Sequence, residues 1–493
     1  MRKWLPLVAV CAGTFILLVD VTIVTVALPD MARSLDTSLP DLQWVLSVYA
    51  LVLAALVLTA GSIADRIGRR AVYLGGLAIF AAASLVCGLS GSVGVLVAAR
   101  GVQGLGAAAM FATTMALISN TYEGRDRGVA FGVWAAVNGG ASAAGPLVGG
   151  LLTTHFGWRW IFLVNLPIAV GAVVLTLVVV RESRDPRPRR VDIAGMVTFT
   201  VAAGALTYAL IRGSWGSGTT LVVLAVAAVA LIAFVVAERV QHEPMLDLSL
   251  LRNTTFTTLL VAVALLPAAA WAAMAYQSLW LQSVLDLSAI QAGLVLLPSS
   301  LAAFGVSIAV GRVLHKTSPR VLIGVGMVVV GAGALAQGVI RTGSSWAVEL
   351  PGLFIVGVGA GLVLAPVSST AMAAVPAERA GMAAGAVNTF RQLGYAFGIA
   401  VLGAVFRTGL AGSAGDDLAG PLSGGQAGAV IDRGAEMSEL VRRAFAHALD
   451  VTFVVAASLG VVAGIAVFLF VRTDRDEPAP AERRPKAGAR QNS

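Results

Sequence analysis

Three charged side chains lie deep inside long apolar runs of this chain: Asp20, Arg100 and Arg391. Asp20 is the sole charged residue between Leu5 and Pro29. An ionisable group at membrane depth marks a functional site by default, and burial makes a carboxyl easier to protonate, so it can exchange protons near neutral pH. At about 1.5 Å per residue, Asp20 lies roughly 14 Å below Pro29, and Arg100 roughly 9 Å below the start of its own run. Acid and base can therefore share one layer, either as a proton carrier tuned by a cation or as a permanent structural ion pair. Arg391 lies roughly 15 Å inside a later run, in Asn388-Thr389-Phe390-Arg391-Gln392. It either faces a cavity or pairs with a carbonyl or an acid. At an offset of 250 residues Asp20 corresponds to Ala270, so no matching acid is expected there.

The elements that must hold these groups are membrane helices. Of 493 residues, 58% are hydrophobic and 12% charged, half the charge of an ordinary soluble domain. Apolar runs of spanning length fall near 5–29, 42–63, 71–90, 94–119, 127–154, 159–181, 192–212, 219–238, 256–281, 290–311, 320–341, 346–373, 381–406 and 450–471. The expected fold is therefore an all-α integral membrane protein of fourteen transmembrane helices. The N-terminus runs straight into the first span without a small-residue cleavage site, so that segment is expected to be retained. Cys11 and Cys87 suggest neither a disulfide framework nor a metal site. The four histidines fall at or beyond span ends, and no P-loop lysine motif occurs, so ATP hydrolysis by that route is excluded.

With both termini cytoplasmic, the cytoplasmic segments hold 24 of the 34 Lys and Arg, the outer segments 8 and the spans 2. The positive-inside rule selects that orientation. Arg181, Arg184, Arg187, Arg189 and Arg190 alone assign the loop after span six. The net charge of +8 is spread over such loops, which argues against nucleic acid. Arginine outnumbers lysine 31 to 3, which suggests a GC-rich, bacterial source. Trp4, Trp44, Trp158, Trp160, Trp215, Trp280 and Trp346 lie near span ends as expected interfacial anchors.

Leu35-Asp36-Thr37-Ser38 recurs as Leu285-Asp286-Leu287-Ser288, and at the same offset Gly61…Asp65-Arg66…Arg70 faces Gly311…His315-Lys316…Arg320. This register divides the chain into two pseudo-symmetric six-helix halves, 1–190 and 251–472, with two inserted helices in 191–250. An outer loop is expected over 407–449, with a surface helix at Glu439–Leu449, and a disordered cytoplasmic tail over 473–493. Transporters are often built from such repeats, with their sites between the halves.

Gly61-Ser62-Ile63-Ala64-Asp65-Arg66-Ile67-Gly68-Arg69-Arg70 resembles the signature loop of the major facilitator superfamily, departing from it only at Ile63. The resemblance implies a conformational latch made by Gly61, Asp65, Arg66, Gly68, Arg69 and Arg70. In the second half His315 replaces the acid. Gly140, Gly145, Pro146, Gly149 and Gly150 have the spacing of the superfamily's antiporter element, and small residues of this kind let helices approach closely. Arg100-Gly101-Val102-Gln103-Gly104 resembles another family element. Leu18-Val19-Asp20-Val21-Thr22 through Pro29 and Trp158 through Pro167 resemble the fourteen-helix drug:proton antiporter branch, with Thr25 where that branch has Asn. The resemblance covers 5–406. It implies a secondary exporter, not an enzyme, in the cell membrane. Such a protein moves a lipophilic, cation-compatible small molecule outward in exchange for protons by alternating access. The proton gradient is its only energy source, no cofactor is needed, and a single chain suffices. Asp20 and Arg100 would couple protons. Gln103, Asn138, Trp271, Tyr276, Asn388 and Arg391 are candidates for the substrate cavity. A metabolite:proton symporter is the first alternative, followed by a channel or a membrane enzyme.

Overall fold

The computed structural model describes residues 2–184, 191–212, 217–241, 243–313, 317–376 and 379–472. All regular structure among them is helical. The first group is α1 (Leu5–Leu35), α2 (Leu39–Ile67), α3 (Arg69–Leu89), α4 (Val93–Thr121), α5 (Gly124–Phe156), the short α6 (Trp160–Leu163) and α7 (Asn165–Val179). Next come α8 (Ile193–Arg212) and α9 (Gly218–Val240). The last group is α10 (Thr254–Ala270), α11 (Met274–Ser283), α12 (Ala289–Val313), α13 (Pro319–Gln337), α14 (Leu350–Ala373), α15 (Ala380–Ala414), α16 (Asp416–Ser423), α17 (Ala427–Ile431) and α18 (Ala435–Phe470). Thirteen described segments, with α6–α7, α10–α11 and the turn before α14 joined to it each counted once, are long and apolar enough to cross a membrane. The 33-residue α5 is the fourteenth membrane helix by length, its hydropathy diluted by glycine. The chain is a multi-pass membrane protein.

Helix starts follow local chemistry. Side chains of Ser92, Ser217 and Asn253 accept hydrogen bonds from the N–H groups of Val95, Thr220 and Phe256, satisfying donors that a first turn leaves unpaired. In lipid, close packing rather than water exclusion holds helices together, and glycines supply it. A Cβ on Gly106 would stand 2.6 Å from the Phe80 backbone nitrogen, so α4 lies directly on α3. Helices α1 to α5 and α7 pack on one another, as do α10, α12 to α15 and α18. The two groups meet along α2–α15, α5–α12 and α1–α11, and the α8–α9 hairpin lies against α2 and α15.

The core is continuous at one end and divided at the other. At the Pro29 end a single apolar cluster joins Val26, Leu28 and Leu42 to Leu279, Leu402 and Phe445. Toward the chain termini one cluster draws only on residues 4–180 and another only on 246–471, while a small cluster of Ala50, Leu51, Ala54, Ala203, Leu393 and Ala396 still joins α2, α8 and α15 between them.

Several expectations need correction. Span thirteen continues to Ala414, and the region expected to be an outer loop holds α16, α17 and the first turns of α18. Glu439–Leu449 is no separate surface helix: Val441, Ala444, Phe445, Ala448 and Leu449 are buried and lead without a break into the last span. Trp158 and Trp280 are each 2% exposed, so they pack in the core rather than anchor at an interface. Arg187, Arg189, Arg190, Trp215, His242, His315, Lys316 and the tail 473–493 lie outside the described residues.

Candidate functional site

Asp20 is fully buried on α1 and forms an ion pair with Arg100 Nη1 on α4. Its other carboxylate oxygen accepts from Gln103 Nε2 at 3.0 Å and from Asn165 Nδ2, at the start of α7, at 3.1 Å. Ser84 Oγ on α3 accepts from the Gln103 amide at 2.8 Å. Arg100 also donates to Gln103 Oε1 at 2.7 Å and to the Val45 carbonyl of α2 at 3.1 Å. Its guanidinium carbon lies 4.3 Å from the centre of the Tyr49 ring, a distance at which cation and ring attract. Four helices besides α1 thus converge on one acid. Burying a charge is tolerable only when it is paired and hydrogen-bonded, and the Asp20 carboxylate meets both conditions. Sequence reading missed Ser84 and Asn165. They are uncharged, and the arrangement of α3 and α7 around α1 brings them in.

Gln103 therefore belongs to the ion-pair network and not to a cavity wall, because its helix face turns into the α1–α5, α7 bundle. Tyr276 moves for a similar reason. It is fully buried, its hydroxyl donates to the Ile399 carbonyl at 2.5 Å and accepts from Gln43 Nε2 at 3.0 Å, and its ring stacks on Phe406. The tyrosine is a clasp between the helix groups. Gln282 Nε2 adds a second clasp to the Val26 carbonyl at 2.8 Å. Trp271 caps α10 partly buried, at the three-residue break before α11.

Asn138 and Asn388 stand 250 residues apart, on α5 and α15, and each donates to the carbonyl four residues earlier, Trp134 and Ala384. Arg391, one turn past Asn388, is half-buried and has no hydrogen-bond or ion-pair partner among the described residues. Of its two readings, pairing with an acid or a carbonyl is not what the structure contains.

The loop between α2 and α3 closes on its own helix group. Arg69 pairs with Asp65 at 2.8 Å. Gly68 has φ +134°, a conformation glycine alone adopts readily, and a Cβ there would strike the Glu182 carboxyl at 2.6 Å. Glu182 accepts from the N–H groups of Arg70 and Ala71 at 3.0 Å each, capping α3, and Arg70 donates to the Leu177 carbonyl at 2.7 Å. Arg66 is exposed, and a Cβ on Gly61 would meet nothing within 4 Å. None of these bonds reaches α10–α18. Sequence reading missed Glu182, since a cap supplied from 112 residues away leaves no local signature.

The glycine element of α5 contacts both groups. A Cβ on Gly145 or Gly149 would collide with Thr22 or Ile23 of α1. One on Gly150 would stand 2.5 Å from the Ala289 carbonyl of α12, and one on Gly293 of α12 would strike the Pro146 carbonyl. Gly140 faces open space and takes no part in the seam.

The sequence profile of the Major Facilitator Superfamily matches residues 10–399. The chain belongs to the Major Facilitator Superfamily. It is 40% identical over 405 residues to the multidrug resistance protein Stp of Mycobacterium tuberculosis, covering 81% of this chain and 75% of that protein. It is 32% identical over 507 residues to the tetracenomycin C resistance and export protein of Streptomyces glaucescens, covering 98% and 94%. The fold matches the crystal structure of a bacterial homologue of the human lysosomal transporter Spinster with TM-score 0.66 at 20% identity, over 96% and 98% of the two chains. As a member of the superfamily the chain is a transporter and not an enzyme.

The structure also places a second acid that sequence reading overlooked. Glu349, in the short turn Trp346–Glu349 before α14, is fully buried. Asp20 is therefore not alone among acids in the spans: Glu349 lies in the run 346–373, and the buried Glu238 lies at the end of the run 219–238. Three residues from Trp346, Glu349 has the look of an interfacial charge in the sequence, yet α12, α13 and α14 pack on its turn and Gln277 of α11 reaches its carboxyl.

Proposed function

We propose that this superfamily member exports lipophilic small molecules in exchange for protons, with Asp20 carrying the proton and Arg100 setting its affinity. The burial of Asp20 against three donors carries the reading. Neutralising the carboxylate by a proton would release Arg100 and loosen the joint between α1, α4 and α7, which links protonation to helix packing. The drug-resistance and export names of the relatives support a drug as cargo. Residues 1–190 and 251–472 act as two rocking bodies, with the 191–250 helices inserted between them. With both termini cytoplasmic, the sealed Pro29 end faces outward and this conformation is closed to the outside. The loop 61–70, whose bonds among the described residues stay within its own helix group, then latches the opposite end in the other half of the cycle. Arg391, Asn388 and Asn138 are cargo-contacting residues in this reading. A proton moving inward contributes about 2.3 kcal/mol per 100 mV, which drives export without covalent chemistry.

The test is uphill drug movement in proteoliposomes under an imposed proton gradient. Asp20→Asn is expected to reduce it to the uncoupled background while downhill exchange persists. Undiminished uphill efflux in a folded Asp20→Asn protein would sink the reading. Drug and proton moving in the same direction would replace it with symport.

A further inference from the structure

We propose that Glu349 is a second proton-binding site, occluded and loaded in this conformation and opened to the medium when α11 lifts away. This rests on the proton-coupled reading above and adds a site on the other rocking body.

Glu349 is fully buried and forms no ion pair among the described residues. One carboxyl oxygen has the Gln277 amide at 3.5 Å, and the other has no hydrogen-bond partner among the described residues. Although the residue precedes α14, no N–H of that helix bonds to its side chain. Gln277 spends its better hydrogen bond on Gln337 of α13. Among the described residues the packed elements supply no counter-charge. Helices α11 and α14 carry no charged residue, and the arginines of α12 and α13, Arg312 and Arg320, stand at the far ends of their helices. Exposed Arg341 makes no ion pair with it among the described residues, and Asp450, beside Gly338, is an acid and offers no counter-charge. A lone carboxylate in such a place is too costly to persist, and the group takes a proton instead. Asp20 differs in kind, since it has Arg100.

The helix that carries Gln277 does not continue α10. The chain breaks at Trp271–Ala273, where the N–H groups of Trp271 and Ala272 both point to the Pro267 carbonyl. Half-helices of this kind hold coupling ions in other transporters. Helix α11 bears Gln277 and also both clasps to the opposite body, Tyr276–Gln43 and Gln282–Val26. Parting of the sealed end breaks the clasps, shifts α11 and wets Glu349. The closed state then binds one more proton than the open state at this site, so rising pH favours opening, by at most about tenfold per pH unit.

The experiment reads opening of the sealed end by the distance between spin labels on the two bodies, against pH, with no drug present. Asp20→Asn isolates the second site. That protein is expected to keep a pH-dependent opening approaching tenfold per unit, and Asp20→Asn with Glu349→Gln to lose it. An Asp20→Asn protein whose opening ignores pH, or a double variant that retains the dependence, overturns the proposal. Gln277→Lys serves if Glu349→Gln does not fold: an ammonium beside the acid supplies the missing charge and should abolish the dependence, and its persistence overturns the proposal too. Failure of the Asp20 reading shows separately, as Asp20→Asn transport that remains uphill.

Discussion

Asn165 illustrates how a neutral side chain controls a buried charge. Its amide is one of two neutral donors to Asp20, alongside Gln103. Removing a donor from a buried charged group leaves desolvation uncompensated, at a cost of about 1–3 kcal/mol. Asn165→Ala is therefore expected to lower stability by about that amount, and Asn165→Asp, which sets a second carboxylate against the first, by more. Thermal unfolding of the purified protein in detergent checks both, and an Asn165→Asp protein as stable as the parent would contradict the network. The same comparison shows what sequence could reveal at this scale. Asp20 and Arg100 stood out because a charge in an apolar run has no cheap explanation. Ser84 and Asn165 are ordinary membrane residues until α3 and α7 are placed. Gln103 and Tyr276 were assigned to a cavity because a helix surrounded by protein has no exposed face to betray which side meets the cargo. Glu349 was hidden by its position near a span end, where acids are common.

Helices were legible from apolar run length, because lipid forces every backbone group to pair within its own segment. Their ends were less so. The polar stretch 407–449 reads as a loop, yet Val441, Phe445 and Leu449 bury on one side and carry α18 beyond the bilayer-length run. Repeating apolar positions among charges are visible in sequence, but their covering by α15 and α17 is not. The glycine seam makes a sharper statement about elements. Gly293→Ala pushes a methyl against the Pro146 carbonyl, where backbone cannot yield, while Gly140→Ala meets nothing within 4 Å. Overpacking costs about 1–3 kcal/mol, and at this seam it falls on the α5–α12 contact between the two groups. Gly293→Ala should favour the parted arrangement and slow transport, with Gly140→Ala unchanged in both. Equal transport rates for the two variants would mean that the α5–α12 approach does not control the cycle.

At the scale of the whole molecule, one end holds a shared core and the other holds two. A polar tie joins the two groups at the rim of the shared core: Ile290 of α12 donates its N–H to Thr154 Oγ1 of α5 at 3.1 Å, beside the Gly150 contact. If rocking between the bodies is the transport motion, a covalent tie here must arrest it in the state closed at the Pro29 end. Thr154→Cys with Ile290→Cys, in a background of Cys11→Ala and Cys87→Ser, tests this directly, because the two native thiols are buried and free. Oxidation should stop transport and a reductant should restore it, while drug still binds from the terminus-bearing end, where the cores remain separate. The arrest should also remove the pH-dependent opening assigned to Glu349, since α11 then stays clasped to α1 and α2. An oxidised, fully crosslinked protein that transports at the reduced rate would show that the sealed end never opens during the cycle, and rocking between the two groups would have to be abandoned.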